Sequence, residues 1–395
     1  MIPFVYTLFY KHYLTMKKFS PLVFLASLGA GGISVIPFSF LNYTFAHPKG
    51  LVNYSHIPHG DLSMLQEIFF RFLESIMVVF PIIHIVLSLI FLFQLISWLR
   101  GPNYSSFISD PLKNSAILAP FISLAMTMNV LIGPVRFFIP AVYSNLQSFM
   151  LPALILWLII GFFLMKMELK LLKTSFVKSF DVSKINFGWL LHSFALAMFT
   201  VTGTGIAALS TSPNIAHIAA FTSFVFGGMG IFLLFVKMFT LFKSHFEAPG
   251  LPEKQFLPSF LIVIPNITLY AISFFRIGHY LEHNFGAHFQ AYFMLIVTIA
   301  FAFETWYMLF GLSLLKNYFK NDFFKEFHVS QWGLVCPLVA YAVLGSFVYN
   351  TFVQSSLFYY GILIVMLITI VLFFSLLIKH MRCGGLIKKN LISCD

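Results

Sequence analysis

An all-α membrane protein with ten transmembrane helices, paired as five helical hairpins, is the fold this sequence predicts, and three observations carry it. The first is composition: 59% of the 395 residues are hydrophobic, 9% are charged, and the mean hydropathy is +0.90. Soluble domains carry roughly 25% charged residues, so this chain has too little polar surface to cover a water-facing core. The second is span length, because ten apolar runs each reach the ~20 residues that a helix needs to cross a bilayer. The third is charge placement. Every Lys and Arg except Lys49, Arg71, Arg136 and Arg276 falls in the N-terminal head, after an even-numbered run, or in the tail. A missed or extra run would scramble that sorting, and the positive-inside rule then puts both termini in the cytoplasm of a multi-pass cell-membrane protein.

Taken in order, residues 1–19 form a cytoplasmic N-terminal segment with Lys11, Lys17 and Lys18. The first span, about 21–45, holds Gly29, Gly31, Gly32 and Pro37, and lacks a small-residue cleavage site, so it reads as retained and not as a signal peptide. A polar loop with His47, His56 and His59 leads to a second span at about 68–98, closed by Arg100. The third, about 115–138, contains Pro120, Asn129 and Pro134; the fourth, about 146–167, runs into Lys166, Lys170, Lys173, Lys178 and Lys184. The fifth is expected at about 187–209 and the sixth at about 215–242, with Lys237, Lys243 and Lys254 at its exit. The seventh, about 256–277, carries Pro258 and Pro265, and the eighth, about 288–315, ends at Lys316, Lys320 and Lys325. The ninth is the run from Trp332 to Tyr341, centred on Pro337 and continuing to Phe352, and the tenth, about 357–378, enters a cytoplasmic tail, 381–395, with Arg382, Lys388 and Lys389.

A second alternation runs along the same series. Odd spans one, three, seven and nine hold internal prolines, and span five substitutes the run Thr200-Val201-Thr202-Gly203-Thr204-Gly205. Even spans are mostly plain Phe, Leu and Ile, although Pro81 and Pro152 interrupt two of them. A proline inside a helix at lipid depth frees a carbonyl, which a packed or water-lined position tolerates and bare lipid does not. The odd helices are therefore expected to form an inner pore ring and the even helices an outer ring. Three cysteines, Cys336, Cys383 and Cys394, offer no paired framework, so no structural disulfide is expected. The formal net charge of +11 sits at span ends, without the basic stripe of a nucleic-acid partner.

Particular residues carry a resemblance. Asp110-Pro111 precedes a span reading Ala119-Pro120-Phe121-Ile122-Ser123-Leu124; Leu257-Pro258-Ser259-Phe260 is followed by Ile264-Pro265; and Trp332 stands ahead of Pro337. In this the chain resembles the tellurite-resistance/dicarboxylate transporter family, which takes in TehA-like proteins and the slow-type anion channels. The resemblance spans nearly the whole chain and makes 20–380 a ten-helix anion channel or transporter domain. It implies passage of small inorganic or organic anions, of the halide, nitrate, sulfite, tellurite or C4-dicarboxylate class, through a pore inside each protomer of a homotrimer among membrane lipids. It also implies a phenylalanine plug in the ninth helix, one residue before the position of Pro337. Here that residue is Cys336, so the plug is moved elsewhere or the pore closes less tightly. Phe194 matches the other pore phenylalanine, with Ser193 replacing the amide that usually precedes it.

The polar groups expected to line such a path are Ser34, Ser123, Thr127, Asn129, Ser193, Thr200, Thr202, Asn266, Thr268 and Tyr341. Weak, multiple sites suit conduction, and no Lys or Arg is expected in the centre of an odd span. Arg136 and Arg276 are expected near the outer ends of spans three and seven, either raising the anion concentration at the mouth or anchoring their helices in the headgroups. Glu67, Arg71 and Glu74 share a helix face and are expected to pair. Glu304, in the middle of span eight, and His192 are the candidates for proton coupling, weighed against neutral, hydrogen-bonded packing. His84 and His192 at lipid depth lack the CxxCH sequence of an attached haem, and His279, His283 and His288 read as solvated outer-loop residues instead of metal ligands. No cofactor, metal or catalytic set is expected. Two other readings stay open: a proton-coupled C4-dicarboxylate carrier, and a multi-spanning membrane enzyme or redox subunit. The second would need reactive groups clustered at one depth, where this sequence scatters them.

Overall fold

The computed structural model describes residues 19–48, 50–247, 250–383 and 393–394. The expectations for the cytoplasmic head and for Lys388 and Lys389 lie outside the described residues. Among the described residues ten helices are long and apolar enough to cross a membrane: α1 (Pro21–Thr44), α2 (Met64–Leu99), α3 (Asn114–Phe138), α4 (Leu146–Val177), α5 (Phe187–Leu209), α6 (Pro213–Glu247), α7 (Lys254–Phe285), α8 (Gln290–Leu314), α9 (Val329–Thr351) and α10 (Ser356–Cys383).

The odd helices make a closed ring, α1 against α3, α3 against α5, α5 against α7, α7 against α9, and α9 back against α1. Each even helix lies over a seam of that ring: α2 over α1 and α3, α4 over α3 and α5, α6 over α5 and α7, α8 over α7 and α9, α10 over α9 and α1. Burial separates the two sets. In their most apolar windows the odd helices are 61–94% buried and the even ones 28–44%.

The even helices owe this to an apolar stripe of period 3.5. On α4 it runs Met150, Leu154, Trp157, Gly161, Leu164, Glu168, Leu171, all buried, while Phe162 and Phe163 between them face outward. Small residues set how closely the rings approach. A Cβ on Gly203 would stand 2.1 Å from Trp157, whose Nε1 donates to Phe199 O at 2.9 Å while the two rings stack at 4.3 Å. A Cβ on Gly32 would meet Val339 Cγ1 at 2.6 Å, which is how α1 reaches α9. In lipid such contacts, not water exclusion, hold helices together.

All five inner helices begin with a 3-10 segment, at the end where α10 finishes: Pro21–Val23, Asn114–Leu118, Phe187–Leu190, Lys254–Ile262 and Val329–Leu334. The change to α geometry falls within two residues before Pro120, Pro265 and Pro337. These prolines therefore occupy first turns, where a missing N–H leaves no intrahelical bond unmade, and they are not the mid-span kinks the sequence reading expected. Pro37 does lie within α1, and Pro134 lies in a π turn, Leu131–Val135, of α3.

One expectation is corrected outright. Cys383, in the last turn of α10, is disulfide-bonded to Cys394 with their Cα atoms 5.6 Å apart. The two-residue strand β1 (Glu326–Phe327) pairs in parallel with β2 (Ser393–Cys394), and this pairing returns the chain to α10. Spacing in the sequence carried no sign of that return.

Candidate functional site

A cavity of about 680 Å³ runs inside the ring, walled by all five inner helices and by Gly50 and Leu51 of the first outer loop. No residue of the five 3-10 segments lines it. Toward that end its lining stops at Leu28, Gly29, Phe194, Pro265 and Cys336, which form its floor, and it extends to Asn42, Tyr43, His283 and Asn350 at the opposite end. Phe194 and Cys336 are both buried at this floor. Pro337 stands behind Cys336 and off the wall. The inner half is almost wholly apolar; among its residues Met198, Leu269, Val339 and Ala340 lead outward from the floor.

Of the polar candidates, Asn129, Thr202 and Thr268 line the cavity and the other seven do not. Asn129 Nδ2 donates to Thr202 Oγ1 at 2.7 Å and to Ala125 O at 3.0 Å, so its amide protons clamp α3 to α5. Asn266 is fully buried and donates to Ile262 O at 2.9 Å, bridging the change from 3-10 to α geometry. Ser193 Oγ turns outward to Gly230 O at 3.0 Å. Ser123 joins Ser27 at 2.7 Å, and Thr127 meets His84 Nε2 at 2.8 Å, so both serve the seams between α1, α2 and α3.

The two arginines part company. Arg276 lines the cavity, with Nη1 donating to Val201 O at 2.6 Å across the space that Gly205 leaves: a Cβ there would be 3.1 Å from Nη1. Because α7 continues to Phe285, Arg276 lies more than two turns inside its outer end, deeper than the sequence reading put it. No carboxylate lies within salt-bridge distance of it among the described residues, and most of its five N–H groups are left for the cavity. Arg136 is absent from the wall. Its buried guanidinium donates to Ile132 O at 2.9 Å and Val52 O at 2.6 Å, which corrects both the mouth and the headgroup expectations. Asn42 Oδ1 accepts from Val52 N at 3.0 Å, so both backbone groups of Val52 are held and Gly50 and Leu51 are fixed over the rim. Beside this clasp, His56 Nδ1 accepts from Asn53 N at 3.2 Å; burial, then the charges of His47 and Arg136, push its pKa below the ordinary histidine value.

His279 and His283 are also corrected. The longer α7 makes them helical residues in the outer cavity wall, together with Glu282, whose Oε2 lies 3.1 Å from His279 Nδ1. Glu67, Arg71 and Glu74 do pair, at 2.8 and 3.2 Å, and His59 joins them from the outer loop, 3.0 Å from Glu67 and 2.9 Å from Glu74.

The two proton-coupling candidates lie behind the wall. Glu304 is fully buried, and Thr268, which does line the cavity, donates to its Oε1 at 2.5 Å; Glu304 Oε2 has no partner among the described residues. His192 Nδ1 lies 2.6 Å from Glu168 Oε2, both fully buried, with Lys237 buried nearby. Sequence reasoning missed Glu168 and Lys237 as site residues because it ended span four at Met167 and counted Lys237 as a loop charge. Their signal was present: Glu168 follows Leu164 and precedes Leu171 in the inward stripe of α4, and Lys237 follows Gly230 and Leu233 and precedes Leu241 in that of α6.

No curated protein matches the chain. Residues 18–381, nearly all of the sequence and every inner helix, match the family described as SLAC1, voltage-dependent anion channel. With ten apolar helices around an internal cavity that holds an arginine without a carboxylate partner, the chain belongs to that family, as a channel-like membrane protein of anion transport.

Proposed function

We propose that each chain carries small, singly charged anions such as halide, nitrate or hydrogen sulfite along its own cavity. Phe194 and Cys336 form the closure, and Arg276 is the residue that draws anions in. The observation that carries this reading is the pairing of an apolar inner half with one unpaired guanidinium above it. A single positive charge balances a single negative one, whereas a C4-dicarboxylate would bring a second desolvated carboxylate into the apolar inner half, which has no partner for it. The charge sorting supports cytoplasmic termini in the cell membrane, with 1–19 and 381–395 flanking a transport domain at 20–380. The outward-facing Phe232, Phe239, Leu309 and Val371 suit lipid and neighbouring protomers of a homotrimer.

Purified protein in liposomes tests it. Currents are expected to reverse at the anion equilibrium potential, with nitrate exceeding malate by about tenfold or more, a factor worth about 1.4 kcal/mol. Absence of anion current, or a preference for malate, would overturn the reading. One observation favours the proton-coupled carrier as a second reading: the direct bond from wall residue Thr268 to Glu304. Uptake that follows an imposed pH gradient and vanishes in Glu304→Gln is the outcome that would select it.

A further inference from the structure

Glu168, His192 and Lys237 converge from α4, α5 and α6 beside the floor of the cavity, all buried. Lys237 Nζ donates to Trp189 O at 3.3 Å and lies 4.4 Å from the centre of the Trp189 ring, and its charge is felt by both Glu168 and His192. Tyr270 of α7 is the remaining titratable group facing them. Its hydroxyl donates to Ser193 O at 3.2 Å and stands 3.2 Å from Ser193 Oγ. Two atoms of the cluster are left over: His192 Nε2 and Glu168 Oε1 are buried with no hydrogen-bond partner among the described residues.

Charge counting gives this arrangement a function. With the carboxylate and the ammonium ionised and a neutral imidazole donating its Nδ1 proton to Glu168, the cluster has no net charge, and His192 Nε2 keeps an unused lone pair. One more proton there leaves a net positive charge in a dry interior, which is unfavourable without a counter-charge. Phe194, two residues on along α5, lies in the cavity floor. We propose that Glu168, His192 and Lys237 form a proton-binding site linked to the inner end of the cavity, so that a proton on His192 Nε2 and an anion at Phe194 stabilise one another. The inference rests on the anion-passage reading and adds its regulation. Linkage is reciprocal: protons raise anion occupancy, and anions raise proton occupancy. A unit charge at roughly 10 Å, in an effective dielectric of about 20, changes anion occupancy by about tenfold.

Nitrate flux into liposomes, measured at equal pH on both sides, is expected to rise by up to about tenfold as pH is lowered from 7 toward 5. His192→Asn keeps a donor toward Glu168 and removes the site of the extra proton, so its flux should lose the pH slope. Lys237→Met removes a competing positive charge, so its profile should move to higher pH. A flat profile in the unsubstituted protein, or an unaltered slope in His192→Asn, overturns the inference while leaving anion passage intact. No flux at any pH overturns anion passage, and this inference with it. Should His192→Asn fail to fold, proton uptake decides: adding nitrate to unbuffered, detergent-solubilised protein is expected to draw protons from solution, and no uptake would end the proposal.

Discussion

At the scale of single residues, the proposed closure and the proposed anion attraction stand apart, Phe194 and Cys336 at the cavity floor and Arg276 farther out on its wall. Phe194 is buried there opposite Cys336, where the family resemblance led us to expect a second phenyl ring. Phe194→Ala should raise liposome anion flux by about tenfold, as if about 1.4 kcal/mol of occlusion had been removed, and Cys336→Phe should lower it. Unchanged flux in both variants would take these residues out of the closure. Arg276→Gln should slow flux by about tenfold at low ionic strength and by less in high salt, because screening weakens attraction from a distance; a salt-independent loss would mean that Arg276 holds the helix and not the anion. These residues were only partly legible in the sequence. Phe194 was legible from the family resemblance, Cys336 as a departure from it, and Arg276 as a lone charge in an odd span. Glu168 was not, since a carboxylate one residue past an estimated helix end reads as loop, and only the observed length of α4 puts it in the packed stripe.

At the scale of elements, a proline in an apolar run signals a break without saying which side of it stays helical. Trp332 to Pro337 read as the middle of a kinked helix, yet Val329–Leu334 is 3-10 and the α part starts at Val335, so Pro337 marks a beginning. The glycines of α1 were more legible, since a small residue between two packed helices has one purpose in either geometry. Gly32→Val should destabilise the protein by about 1–3 kcal/mol through overpacking against Val339, read as a lower thermal midpoint in detergent. An unchanged midpoint would show that α1 and α9 separate at little cost. The outer loop makes a pH prediction. His56 has a folded pKa below its unfolded one, so an unfolded loop binds more protons, and the stability of the clasp is intact above the unfolded value near 6.5 and falls as pH drops toward the folded value. Hydrogen exchange at residues 52–57 should therefore speed up, relative to its intrinsic rate, below about pH 6.5, and His56→Gln should abolish that change.

At the scale of the whole molecule, two alternations in one dimension became two rings in three. Proline and glycine on odd spans went with burial, plain apolar composition on even spans with exposure, and the positive charges with one end of every hairpin. The closed ring itself was not readable from the chain, because closure depends on α9 meeting α1, a contact between residues some 300 positions apart, as Ser39 and Ser346 show by their 2.6 Å bond. The end that holds the charges decides which way the cavity faces. Its open end lies among Asn42, His283 and Asn350, and its floor lies toward the end at which α1 begins and α10 ends, the end of the connections that carry most of the lysines. If positive charge stays inside, anions enter this cavity from outside and meet the closure near the cytoplasm. Single cysteines at two exposed positions test that orientation. Gln354→Cys, in the loop after α9, should react with a membrane-impermeant maleimide on intact cells, and Ser105→Cys, in the connection after α2, only once the membrane is opened. Labelling in the reverse order would turn the whole molecule over, and the vestibule with Arg276 would then gather anions from the cytoplasm for release.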